Sequence, residues 1–444
     1  MLTTPFLTQL DSRAAIKGSR DPLGVQSIWS RLGHRVVANL TTVSNSVRDF
    51  TVLLLGYYFV ERVADEGGTE GDLATFLKWE QLAAYARAHV IHERGFRGTE
   101  RVARRLSEGT RVRIGIDAGA QILGNQKIYG LWGLYTIPAK ASDLLEGDPT
   151  RLTLAARDVV ERSLLPTIES VGARTVRGII ERLRMPEYTL DVRERSRDIA
   201  LLEGIAKALR TLRAPERDLY RDHLLHGGPG DHNQARGTQG MQRVLAELLA
   251  ETLDDHGWSL APWSMRVLAR QALGKGDVGS RLAFRLERIV AAETLIAPAV
   301  AFYEYVLSCD GQAPSQVAGD VRRHWGTELQ RSVDFSAIEE LEPELRARTD
   351  DPDSGRRWVR LAAAFYEARY EEAINLVLEQ NAAIMKARTA AAPWVEIRDD
   401  KLNVRFRDEH LPRLPAAADL ASYWRHAYFI ESLRSVAAAL RGPR

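Results

Sequence analysis

A chain of 444 residues with 45% hydrophobic and 27% charged side chains can bury a large core, and this composition excludes long disordered stretches. Sixty-one basic against 59 acidic residues leave a formal net charge of +2, so bulk charge does not announce a nucleic-acid binder. The single cysteine, Cys309, excludes an internal disulfide and a cysteine-based zinc cage.

Residues 1–18 read as an extended or short helical lead-in without the basic-then-apolar pattern of a secretory signal. Asp21-Pro22-Leu23-Gly24 punctuates the chain before a helix over 25–37, whose inner face carries Ile28, Trp29 and Leu32. The polar connector NLTTVSN (39–45) leads into VLLLGYYFV (52–60), the longest apolar run of this region. A bilayer needs about 20 apolar residues, so this run predicts a buried central helix near 46–65. Ser44 or Ser46 can cap it, with Asp49 near its positive end and Arg62 near its negative end. The connector is too long and the second helix too apolar for a helix-turn-helix DNA reader.

A Gly- and acid-rich loop (66–75) precedes an amphipathic helix over 76–92, and another helix starts at Thr99. Arg94, Arg97, Arg101, Arg104, Arg105, Arg111 and Arg113 face only Glu100 and Glu108 in the same stretch, a candidate phosphate-contacting face. A solvated face paired to acids elsewhere is the competing reading. HVIHE (89–93) is neither HExxH nor HxxEH. IGIDAG (114–119) resembles the first phosphate loop of actin-like sugar kinases, but Gln121, Ile122 and Leu123 stand where that loop needs a threonine. The glycines at 115–133 are expected to allow close helix packing.

Helical periodicity dominates 149–212, broken at Pro166, Gly172 and Pro186, and the loop 226–240 then separates two helices. His223, His226 and His232, with Asp222 and Asp231, form the most ligand-rich cluster, although no spacing there matches a known metal cage. GKGDVGS (274–280) lacks the rest of a P-loop and reads as a turn. Arg281, Arg285 and Arg288 lie on one helix stripe and form a second candidate phosphate contact. An acidic run (339–353) precedes a helix over 355–390, a β-hairpin near 394–408 around Asp399-Asp400, and a last helix over 417–440.

The expected fold is therefore mainly α, a multi-helix body with one buried central helix and one short hairpin. Three successive regions are expected: an N-terminal helical domain (1–148), a middle helical domain (149–310) and a C-terminal helical domain with the hairpin (311–444). Neither GxSxG, a P-loop nor a Rossmann glycine triplet is present. Only eight of the 61 basic residues are lysine. The arginine fork suits phosphate and carboxylate, although a GC-rich genome produces the same bias.

Five segments, RDPLGVQSIWSRLG (20–33), NLTTVSNSVRDFTVLLLGYYF (39–59), QILGNQKIYGLWGLYTIPAKASDLL (121–145), ERDLYRDHLL (216–225) and TQGMQRVLAELL (238–249), are similar in this order to an uncharacterised bacterial family. That family opens with an RDxLG motif, continues to a Thr-rich connector and an aromatic helix, and is encoded in mobile anti-phage defence islands beside helicases and phospholipase-D-like nucleases. It has no catalytic residues to carry over, so the resemblance implies a setting and no mechanism.

The function expected is a cytoplasmic, non-catalytic defence-complex subunit without cofactor. It would bind partner subunits or DNA, and not a membrane, through its arginine-rich faces. Two alternatives stay open: a metal-dependent hydrolase or nuclease using the His/Asp cluster at 222–232, and a purely structural adaptor.

Overall fold

Ser46 accepts the amide of Asp49 at 3.2 Å and opens the central helix, Val47–Asp65. The structure is a computed structural model describing residues 21–69, 71–228, 239–332, 334–347, 351, 353–389, 392–406 and 413–441. The fold is mainly α, with 63% helix and 5% strand. Fifteen of the central helix's nineteen residues are buried, polar Asp49, Thr51 and Glu61 among them. Gly56 lets the next helix, Asp72–Tyr85, pack directly against it: a Cβ there would lie 2.5 Å from the Phe76 ring and 2.7 Å from that of Trp79. The Trp79 indole donates to the Val52 carbonyl at 2.8 Å, so the crossing carries a hydrogen bond as well as ring packing.

The chain groups into two units, each assembled from two stretches, rather than into the three successive regions expected. One unit comprises residues through Val36 with Asp254–Tyr428, the other Val37–Leu253 with Phe429–Arg444. Composition along the chain marks linkers, whereas these units are set by which distant helices pack together.

Within the second unit the helix Ile430–Arg441 packs on Met241–Glu251, and Arg434 donates to the Thr252 carbonyl at 2.9 Å. Two strand pairs that local pattern did not suggest also lie here. Arg111–Ile114 pairs antiparallel with Tyr188–Asp191, and Leu145–Glu146 with Arg151–Leu152. The first joins segments far apart in sequence, which no turn signal announces, and the second is only two residues long.

Within the first unit, Gly276–Ser308 is a 33-residue helix packed against Pro262–Leu273 and Val25–Gly33. It is long and apolar enough to cross a membrane, but 83% of its apolar window is buried inside the protein. The helix expected over 355–390 is two, Asp353–Tyr366 and Tyr370–Thr389, separated where Ala368 takes a positive φ of 53°. The helix expected over 417–440 is likewise a 3-10 turn, Ala417–Ser422, and then Ile430–Arg441, with Tyr428 and Phe429 at positive φ between them. The expected hairpin pairs Val395–Arg398 with Lys401–Val404, and both turn residues, Asp399 and Asp400, have positive φ, as a two-residue I′ turn demands.

Candidate anion-binding cleft

The helix Asp72–Tyr85 does not end where α-helical geometry would leave it. It widens into a π-helical segment, Ala86–Ile91, a form frequent at functional sites, and His92 then turns the chain with a positive φ of 60°. This widening carries Arg87 to the N-terminal end of the central helix. There Arg87 Nη1 donates to Asp49 Oδ1 at 2.6 Å, while Nε and Nη2 form a fork on the Glu93 carboxylate at 2.9 and 2.8 Å. The guanidinium also lies 4.7 Å over the Phe96 ring. Burial works against its charge, but Glu93 and Asp49 outweigh it and raise the Arg87 pKa.

Tyr135, from the helix Leu131–Ala141, completes the wall. Its hydroxyl donates to the Val43 carbonyl at 2.8 Å and lies 3.2 Å from Asp49 Oδ2. Burial, and then the neighbouring Asp49 charge, push its pKa well above the phenol range, so it acts as a neutral donor. These residues, with Asn45, Ser46, Arg94 and Arg97, border a cleft of about 380 Å³. That volume is in the range of small-ligand sites.

Charge in the cleft is asymmetric. Both carboxylates, Asp49 and Glu93, are already engaged by Arg87, and Arg48 adds a second cation 3.9 Å from Glu93. Among the described residues, Arg94 and Arg97 make no hydrogen bond or ion pair, although they lie on the same wall. Two guanidiniums with free donors beside neutralised acids attract an anion, and their geometry suits phosphate or carboxylate oxygens.

Behind the cleft a void of about 10 Å³, the size of one water, shares Asp49, Arg87, Phe96 and Arg97 with it and reaches the buried Glu80. Glu80 accepts from the Leu131 amide at 2.7 Å and from Gln126 at 2.8 Å. Burial nevertheless pushes its carboxyl up to about 7.

Of the seven arginines expected to form one phosphate face, the structure brings only Arg94 and Arg97 to this cleft. Arg101 donates to the Gln121 carbonyl at 3.0 Å, and Arg105 to the carbonyls of Ala120 at 2.7 Å and Gln121 at 2.9 Å and to that of Gly119. Both clamp a turn. Arg104 sits 3.7 Å from Glu108, Arg111 3.7 Å from Asp191, and Arg113 pairs with Asp117. In the other unit Arg285 and Arg288 converge on Glu344, and Arg281 has a partner too.

The His/Asp cluster is not assembled among the described residues. The His223 ring bonds through Nδ1 to the Ser142 carbonyl at 2.8 Å inside a buried network that includes Asn39 and Gln242. His226 lies 3.7 Å from Asp222. Asp231 and His232 lie outside the described residues, and no group of three or more His, Cys, Asp or Glu able to hold a metal occurs within them.

Sequence reasoning missed Arg87, Glu93 and Tyr135 as site residues. Asp49 was read only as complementing the helix dipole. A charged residue in the first turn of an otherwise apolar helix was the one signal available. No protein-family model, curated protein or solved structure matches this chain.

Proposed function

We propose that this chain is a non-catalytic helical subunit of a bacterial anti-phage defence complex, and that it contacts DNA phosphate through the cleft carrying Arg94 and Arg97. One observation carries the DNA part of this reading: two guanidiniums that make no ion pair among the described residues border a polar cleft whose two carboxylates are already engaged by Arg87 and Arg48. The defence setting is supported by the ordered segments of the first 250 residues that resemble the RDxLG family.

In this role Arg94 and Arg97 supply the charge-assisted hydrogen bonds to phosphate oxygens. Arg87 is a positioning residue: it holds Glu93 and Asp49 so that they do not compete for the free guanidiniums. Ser46 adds a neutral hydroxyl to the cleft lining, while the Tyr135 proton is already engaged by the Val43 carbonyl. Such contacts fix register on a nucleic acid without reading its sequence, so the affinity is expected to be salt-dependent and sequence-tolerant. Fluorescence anisotropy with labelled single- and double-stranded DNA over a salt series tests this, comparing the natural chain with Arg94→Ala/Arg97→Ala. Binding whose affinity and salt slope are the same in both removes the cleft from the reading.

A further inference from the structure

A second concentration of arginine lies in the other unit, and among the described residues its guanidiniums outnumber the carboxylates that pair with them. Arg35 and Arg288 each hydrogen-bond the Glu344 carboxylate, and Arg285 lies 3.5 Å from it. Arg31 donates to the Glu344 carbonyl at 2.7 Å and to the Arg346 carbonyl at 2.5 Å. Glu344 is 8% exposed. Glu340, a surface residue, lies 4.0 Å from Arg288. Three guanidiniums therefore share one buried carboxylate, and a fourth, that of Arg31, is held on the backbone carbonyl of the same residue. Burial, and then the charge of Arg35, lower the pKa of both Arg31 and Arg285, as expected where cations are crowded and incompletely compensated.

The donors are not exhausted either. Arg35 spends one bond on Glu344, and Arg285 has only the 3.5 Å contact, yet both are about a third exposed. Beside them the Phe284 ring is 55% exposed and lies 5.6 Å from the Arg285 guanidinium and 5.2 Å from that of Arg288. An exposed aromatic ring next to arginines with unspent donors, here Arg285 and Arg35, is the combination that stacks a base and holds its phosphate.

The geometry points to a second phosphate-binding site, formed by Arg31, Arg35 and Arg285 over Glu344, with Phe284 as the stacking surface for an attached nucleobase. Glu344 acts there as a built-in competitor: it holds the arginines together but leaves net positive charge for a phosphate group. The site shares no residue with the cleft of Arg94 and Arg97, so the two succeed or fail separately.

The test is titration calorimetry with inorganic pyrophosphate and with a 5′-phosphorylated oligothymidylate, both in an Arg94→Ala/Arg97→Ala background that silences the first cleft. Glu344→Gln should tighten pyrophosphate binding about fivefold or more by removing the competing charge, and Arg285→Ala should weaken it by a similar factor. Phe284→Ser should weaken the oligonucleotide and leave pyrophosphate unchanged. A cluster that is only a structural cross-link gives the opposite pattern: no pyrophosphate binding in the background protein or with Glu344→Gln. That result overturns the proposal, as does tighter binding after Arg285→Ala. Arg285→Lys is the second variant should Arg285→Ala not fold; it keeps the charge but loses the planar fork, and should still weaken binding.

Discussion

Arg87 Nη1 lies 2.6 Å from Asp49 Oδ1, and each of the two residues is only 5% exposed. Such a pair is weak evidence for stability as a whole but costly to break from one side, because the remaining charge stays buried. Arg87→Met is expected to destabilise the protein by roughly 3–5 kcal/mol in urea unfolding, and Asp49→Asn/Arg87→Met to recover part of that loss. A single and a double variant with equal stability would contradict this.

Glu80 makes stability depend on pH. Its folded pKa, about 7, is raised above the ordinary carboxylate value of 4.5 by burial. The folded state therefore holds a proton that the unfolded state releases. The stabilisation is fully present below about pH 4.5 and is lost as pH rises through about 7, an effect on the order of 3 kcal/mol. Glu80→Gln should flatten the pH dependence of the urea midpoint in this window. A variant that keeps the full slope would show that another group is responsible.

Gly56→Ala sets two effects against each other. Alanine favours a helix interior by about 1 kcal/mol, but its Cβ would sit within 2.7 Å of the buried Phe76 and Trp79 rings. Fully buried rings cannot swing aside, and overpacking costs about 1–3 kcal/mol. The melting temperature is expected to fall. A rise would mean that the helices separate without cost.

Arg105 and Arg97 should separate cleanly although they lie close in sequence, Arg97 in the turn before the helix Thr99–Glu108 and Arg105 on it. Arg105→Ala removes donors from the carbonyls of Gly119, Ala120 and Gln121 and is expected to cost about 1–3 kcal/mol of stability. Arg97→Ala removes no hydrogen bond and should stay within about 0.5 kcal/mol of the natural chain, yet weaken anion binding. Paired thermal melts and binding titrations read both effects.

The sequence already carried the central helix, because nine apolar residues closed by charges on each side are too few to span a bilayer and must be buried within the fold. Ser46 and Asp49 are local signals and were readable for the same reason. The hairpin at Asp399-Asp400 was readable because its turn and both strands are contiguous. The cleft was not, since it depends on a π-helical widening after Tyr85 and on Tyr135, which reaches Asp49 from 86 residues away. Nor can sequence tell an arginine that meets a ligand from one that meets a carbonyl. Arg97 and Arg105 offer identical donors, and only the fold shows that Arg105 is occupied.

The most direct measurement of the central claim is the salt dependence of DNA binding by the natural chain and by Arg94→Ala/Arg97→Ala. Each phosphate neutralised in duplex DNA contributes about 0.9 to the log–log slope, so losing two contacts should make the slope shallower by about 1.8 and weaken binding at low salt. An unchanged slope, or no DNA binding by the natural chain at low salt, would contradict the assignment of this cleft as the phosphate contact.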